Sequence, residues 1–216
     1  MAIKTEKIIL NGMAGNIDCA IDWPDTPIRG WALVLHPHPL HEGTRDNKIV
    51  TTVARTCAQN GLVAVRPNFR GVGLSEGEFD RAQGETRDMQ MLIQQIEQFY
   101  PDVGHKKWVL AGFSFGTAVA AQLYAEQKQA QHKLPDAMML LGPAVWRFQY
   151  RDIELPADLL VVHGEKDEVV PLQEVFDWIR PFQIPVTVMP EATHFFHGFL
   201  LQLKKLIQIR LDQILK

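Results

Sequence analysis

One stretch restricts the architecture more than any other. The apolar run Trp108-Val109-Leu110-Ala111 leads into Gly112-Phe113-Ser114-Phe115-Gly116, and Thr117 to Gln131 follows with a helical pattern. A serine centred in Gly-x-Ser-x-Gly between a strand and a helix reads as a tight, strained turn that lifts its hydroxyl above a sheet. Small residues must flank such a turn, because a Cβ at Gly112 or Gly116 would meet the adjoining strand or helix. The Phe115 N–H then lies at the start of a helix, where developing negative charge is stabilised. Such a turn requires a sheet backed by helices.

The rest of the chain supplies both. Residues 3–10 and 15–23 alternate loosely around Asn11-Gly12 and predict a β-hairpin. Trp31–Leu35, Leu62–Val65, Ala137–Leu141, Leu159–Val162 and Val186–Met189 are continuous apolar runs, as expected of strands buried on both faces. Between them fall helical patterns. Asn47–Asn60 carries Ile49, Val50, Val53, Ala54 and Cys57 on one face and stops at Gly61. Thr86–Tyr100 carries Met89, Leu92, Ile93, Ile96 and Phe99, and Pro101 closes it. Leu172–Ile179 predicts a short helix. Phe195–Leu215 predicts a long one, with Phe199, Leu203, Ile207, Leu211 and Ile214 near helical spacing. Alternating strands and helices imply parallel pairing through right-handed crossovers. The expected fold is α/β: a three-layer α/β/α sandwich around a mostly parallel, twisted sheet of about eight strands, with residues 1–216 as a single domain.

Composition narrows the function classes. A net charge of −3 gives no electrostatic reason to expect nucleic acid or an anionic membrane as partner. The N-terminal Met1-Ala2-Ile3-Lys4-Thr5-Glu6-Lys7 lacks a signal-peptide apolar core, and no apolar run reaches the roughly 18 residues of a membrane span. Cys19 and Cys57 make no spacing motif and read as buried small hydrophobes in a reducing compartment, so the expected location is cytoplasmic.

In parallel sheets, ligands bind at the carboxyl ends of the strands. The residues just after successive strands are His36-Pro37-His38-Pro39, Arg66-Pro67-Asn68, Ser114, Gly142-Pro143, Asp167 and His194. Three of these are a serine, a carboxylate and a histidine, in the chain order used by α/β hydrolases. A serine hydroxyl needs a base that titrates near neutrality, and histidine supplies one. The histidine needs a carboxylate on its other ring nitrogen to fix the tautomer. Glu165 and Glu168 are rival carboxylates beside Asp167, which could instead cap the helix near Pro171. His197 is the rival base to His194.

On these residues the chain resembles the α/β-hydrolase superfamily nearly end to end. It is most similar in build to small lidless bacterial serine hydrolases such as dienelactone hydrolases and minimal esterases. The resemblance rests on His36-Pro37-His38-Pro39, Gly112 to Gly116, the loop Gly164–Pro171 and Ala192-Thr193-His194-Phe195-Phe196. It implies Ser114 as nucleophile, His194 as general base and Asp167 as its orienter. The oxyanion hole would combine the Phe115 N–H with one from the loop after the third strand. Family members often carry His-Gly-x-Pro there. Pro37 replaces that glycine and has no N–H, which leaves His38, or Leu40 if the loop is shifted. Dienelactone hydrolases use a cysteine nucleophile where this chain has Ser114, which argues against that substrate.

Other motifs point less far. His36, His38 and His41 are interrupted by prolines and read as loop-bracing residues, not a metal site. Gly71-Val72-Gly73 lacks the third glycine, lysine and ribose partner of a nucleotide loop. Arg45 and Arg70 meet either an anionic substrate or surface carboxylates. The span Pro143–Leu155 is too short for a cap domain, so Trp146, Phe148 and Tyr150 either line an open cleft or pack over the sheet edge. The expected activity is two-step hydrolysis of a small ester, with no cofactor. The alternatives are a thioesterase or peptidase on the same triad, or a non-catalytic binding protein that kept the fold. Aliphatic positions on the terminal helix serve either the core or a homodimer face.

Overall fold

The computed structural model describes residues 3–216. In chain order the elements are β1 (Lys4–Gly12), β2 (Gly15–Trp23), β3 (Gly30–Leu35), α1 (Lys48–Gln59), β4 (Leu62–Pro67), α2 (Gln83–Phe99), α3 (Pro101–Gly104) and β5 (Lys107–Phe113). There follow α4 (Phe115–Gln129), β6 (Ala137–Leu141), α5 (Val145–Phe148), β7 (Leu160–Gly164), α6 (Leu172–Ile179), β8 (Val186–Met189) and α7 (Leu200–Ile214). The strands form one eight-stranded sheet in the order β1-β2-β4-β3-β5-β6-β7-β8. β1–β2 and β2–β4 pair antiparallel, and β4 through β8 pair parallel. The expected α/β sandwich is the fold observed.

The two-residue period of the strands divides the apolar side chains between two cores. Trp31, Leu33, Leu35, Trp108, Leu110, Met138 and Leu140 face α2, α4 and α6. Ala32, Val34, Val109, Ala111, Met139 and Leu141 face α1 and α7. Register places Trp31 beside Trp108, whose rings stack 5.2 Å apart. Cys19 and Cys57 are buried, one in each core, and burial pushes both thiols up to about 12. Leu203, Ile207 and Leu211 of α7 are fully buried in the second core, with Phe199 and Ile214 packed against it.

Several boundaries differ from the sequence expectation. The hairpin turns at Met13-Ala14 instead of Asn11-Gly12, because α2 holds the strand end straight. Gln95 bonds both the N–H and the carbonyl of Asn11, and Asp88 accepts the Met13 N–H at 2.8 Å. Phe99 is exposed while its predicted stripe-mates Met89, Leu92, Ile93 and Ile96 are buried. The chain turns there into α3, and Tyr100 packs against Trp23. The terminal helix starts at Leu200 rather than Phe195, since Phe196 (φ 49°) and Gly198 (φ 81°) are left-handed and cannot continue a helix. Phe196 instead buries its ring in the second core.

Candidate active site

The turn at Ser114 is as tight as the motif requires. Ser114 has φ 53° and ψ −120°, a conformation that costs a non-glycine residue of order 1–3 kcal/mol. Its N–H donates to Leu141 O at 2.9 Å, tying the turn to the end of β6. A Cβ on Gly112 would stand 2.4 Å from Gly116 O, and one on Gly116 would stand 2.5 Å from Leu35 O. Both contacts are with backbone, which cannot swing away. Gly116→Ala is therefore expected to destabilise the protein by roughly 1–3 kcal/mol or more, read as a lowered midpoint in urea unfolding. A midpoint equal to wild type would show that the turn has slack.

Asp167 and His194 reach the same point from β7 and β8. Asp167 Oδ1 accepts the N–H groups of Val169 (2.9 Å) and Val170 (2.7 Å), so the loop wraps its own carboxylate. Oδ2 stands 2.7 Å from His194 Nδ1, and His194 Nε2 stands 2.9 Å from Ser114 Oγ. All three residues are buried. Burial raises the Asp167 carboxyl, but its hydrogen bond and charge interaction with His194 and the Val170 N–H outweigh that and hold it below its ordinary value. The rival carboxylates have other partners. Glu168 Oε2 accepts the His194 backbone N–H at 3.3 Å, and Glu165 Oε2 accepts that of Glu191 at 2.9 Å. His197 is exposed, beyond the buried cluster.

Ser114 opens into a cavity of about 590 Å³. Its apolar wall is Phe115, Phe148, Val169, Val170 and Phe195, and its polar rim includes His38, His41, Glu42 and Arg147. Phe115, Phe148, Phe79 and His38 pack ring against ring beside it, with centroids 4.6–6.4 Å apart. The His38 ring holds the loop after β3, because its Nδ1 accepts the Leu40 N–H at 3.2 Å. Burial and the neighbouring His41 keep that imidazole below its ordinary pKa. His36 is a brace: Nδ1–H donates to Pro37 O (2.6 Å), and Nε2 accepts the Phe69 N–H (2.8 Å). Burial lowers its pKa to about 3, so it stays neutral.

One expectation changes with the tertiary structure, and two open alternatives are decided by it. Trp146 is 56% exposed and does not line the Ser114 cavity; it faces a separate surface hollow with Gln149, Arg151 and Asp152. Phe148, two residues on, turns inward because α5 makes a single helical turn. Tyr150 pins the strap to α4 through Glu126 (2.8 Å) and Gln122 (2.9 Å) instead of lining the cleft. Arg45 and Arg70 are consumed in ion pairs with Asp18 and Asp88. Among the described residues no group of three or more His, Cys, Asp or Glu is placed to hold a metal ion. Val169, Val170, Phe195 and Arg147 line the cavity without having been singled out. The first three lie within three residues of Asp167 or His194 in sequence, which was the available signal.

Comparison with known proteins agrees with this fold. A family profile described as serine aminopeptidase, S33, matches residues 40–150. A Xanthomonas campestris protein, XC6422, described as an α/β serine hydrolase without a lid, superposes with TM-score 0.86 at 32% identity, covering 99% of this chain and 96% of that one. An α/β serine hydrolase homologue from Coxiella burnetii superposes with TM-score 0.82 at 33% identity, covering 97% and 98%. The uncharacterized protein RP471 of Rickettsia prowazekii is 30% identical over 201 residues, covering 88% of this chain and 82% of that protein. No helix among the described residues is long and apolar enough to cross a membrane.

Proposed function

Because the chain belongs to the serine aminopeptidase (S33) family of α/β serine hydrolases, we propose that it hydrolyses a small ester by two-step acyl transfer at Ser114. The observation that carries this reading is the unbroken line Ser114 Oγ–His194–Asp167 at the floor of an open cavity. His194 Nε2 takes the hydroxyl proton as Ser114 attacks the carbonyl carbon. Asp167 keeps the Nδ1–H tautomer and stabilises the imidazolium. The carbonyl oxygen becomes an oxyanion facing the Phe115 and His38 N–H groups, neither of which has an acceptor among the described residues. Leu40 is the weaker candidate for that second donor, because its N–H is bound to the His38 ring. His194 then protonates the leaving alcohol, and the same base activates water to release the acid.

The cavity's charges favour a small uncharged acyl ester over a polyanionic thioester such as an acyl-CoA. Arg147 is the one guanidinium in the lining, and Glu174 holds it through two bonds of 2.7 Å. Glu42, the other formally charged lining residue, is negative and has no ion-pair partner among the described residues. The family's description makes amide cleavage the second reading. The test combines a fluorophosphonate probe, mapped by mass spectrometry, with short p-nitrophenyl esters, aminoacyl anilides and acyl-CoAs. Labelling at Ser114 with ester turnover foremost is the expected result. Faster anilide turnover would move the activity to peptidase, and a folded but unlabelled protein would leave a ligand-binding role.

A further inference from the structure

A second histidine stands against the same carboxylate, and the hydrolytic scheme above gives it no role. His163, on β7, is fully buried. Its Nε2 is 2.9 Å from Val170 O and 3.4 Å from Asp167 Oδ2, the oxygen that also faces His194. Its Nδ1 is buried with no hydrogen-bond partner among the described residues. A carbonyl only accepts, so Nε2 bears the proton, and a bare Nδ1 leaves the ring neutral. Burial lowers its pKa, consistent with that form.

We propose that His163 is a positioning residue for the Asp167–His194 pair, its Nε2–H shared between the Val170 carbonyl and the Asp167 oxygen that His194 uses. The bond to Val170 O closes the acid loop from the side opposite the two N–H bonds to Oδ1. It therefore fixes the carboxylate's rotation and the Val169–Val170 wall of the cavity together. The Nε2–H dipole also draws charge from Oδ2 and moderates its pull on the His194 proton. This rests on the hydrolase reading for its consequence in catalysis, but not for its geometry. The charged groups around the pair are Glu174 and Arg147, which neutralise each other, and Glu168, which holds the His194 backbone.

Nitrogen-15 histidine spectra of the wild-type protein test the geometry without substrate: His163 should show protonated Nε2 and bare Nδ1 from pH 5 to 8. His163→Phe, of similar volume, removes the donor. The low-field proton shared by His194 and Asp167 should then move, and the acid limb of the kcat/KM profile should shift up by about half a pH unit. His163→Gln, which restores an N–H donor, should return both towards wild type. A purely structural role would lower thermal stability or kcat and leave the limb and the proton resonance in place. A protonated Nδ1 in wild type, or an unmoved resonance in folded His163→Phe, would overturn the proposal. Absence of any esterase activity with the resonance shifted would instead count against the hydrolase reading alone.

Discussion

Ser114→Ala is expected to abolish fluorophosphonate labelling and to cut ester turnover by about 10³–10⁶-fold while the protein remains folded. The loss is large because Oγ is the proposed attacking atom, and the His194 Nε2 at 2.9 Å then has no hydroxyl to deprotonate. The proposed oxyanion donors and the cavity stay in place, so a small residual rate over water is expected. Stability adds an independent check on the strained turn. At φ 53°, ψ −120° alanine bears the same backbone penalty as serine, whereas glycine bears almost none. Ser114→Gly should therefore unfold at higher denaturant than Ser114→Ala, by about 1 kcal/mol. Turnover in Ser114→Ala equal to wild type would remove the serine from the chemistry.

Asp167→Asn is expected to lower kcat by about 10⁴-fold, with little change in the fold. The amide oxygen can still accept the Val169 and Val170 N–H groups that Oδ1 accepts now. The amide nitrogen would then face His194 Nδ1 at the 2.7 Å position and donate to it. That fixes the opposite tautomer, with Nε2 protonated and unable to take the Ser114 proton. The defect should persist across neutral and alkaline pH. The pH dependence of stability carries a separate signature. The folded carboxyl lies below its ordinary value of 3.8, so its stabilising contribution is present above that value and is lost as pH falls through the folded pKa. The stability gap between wild type and Asp167→Asn should therefore narrow in acid and be widest at neutral pH. Denaturant titrations at pH 3 and pH 7 measure it, and a pH-independent gap would contradict the assigned charge.

Much of the site could be read from residue order because each of its parts follows a strand. In a parallel sheet all strand ends of one sense lie on one edge, so Ser114, Asp167 and His194 converge whatever the lengths of chain between them. The apolar runs also marked their strands closely, since a strand buried on both faces tolerates little else. Single side-chain directions were less accessible. Trp146 and Phe148 lie two residues apart in a one-turn helix, and only contacts with α4 and with the rings of His38, Phe79 and Phe115 send Phe148 inward while Trp146 faces solvent. Arg45 and Arg70 were open between an anionic substrate and carboxylates, because their partners, Asp18 and Asp88, are distant in sequence.

The division has a physical basis. Local covalent and steric constraints act within a few residues: Gly112 and Gly116 permit the turn, Pro37 removes a donor, and apolar alternation buries the strands. These are properties of the sequence alone, and they determined the fold and marked Ser114, Asp167 and His194 as the candidate reacting groups. Partnership through space depends on the whole sheet being assembled. Only the tertiary structure decided that Leu40's N–H is taken by the His38 ring, that Glu174 neutralises Arg147, and that His163 and His194 stand against one oxygen of Asp167. Those long-range contacts set the charge and shape of the cavity beside Ser114.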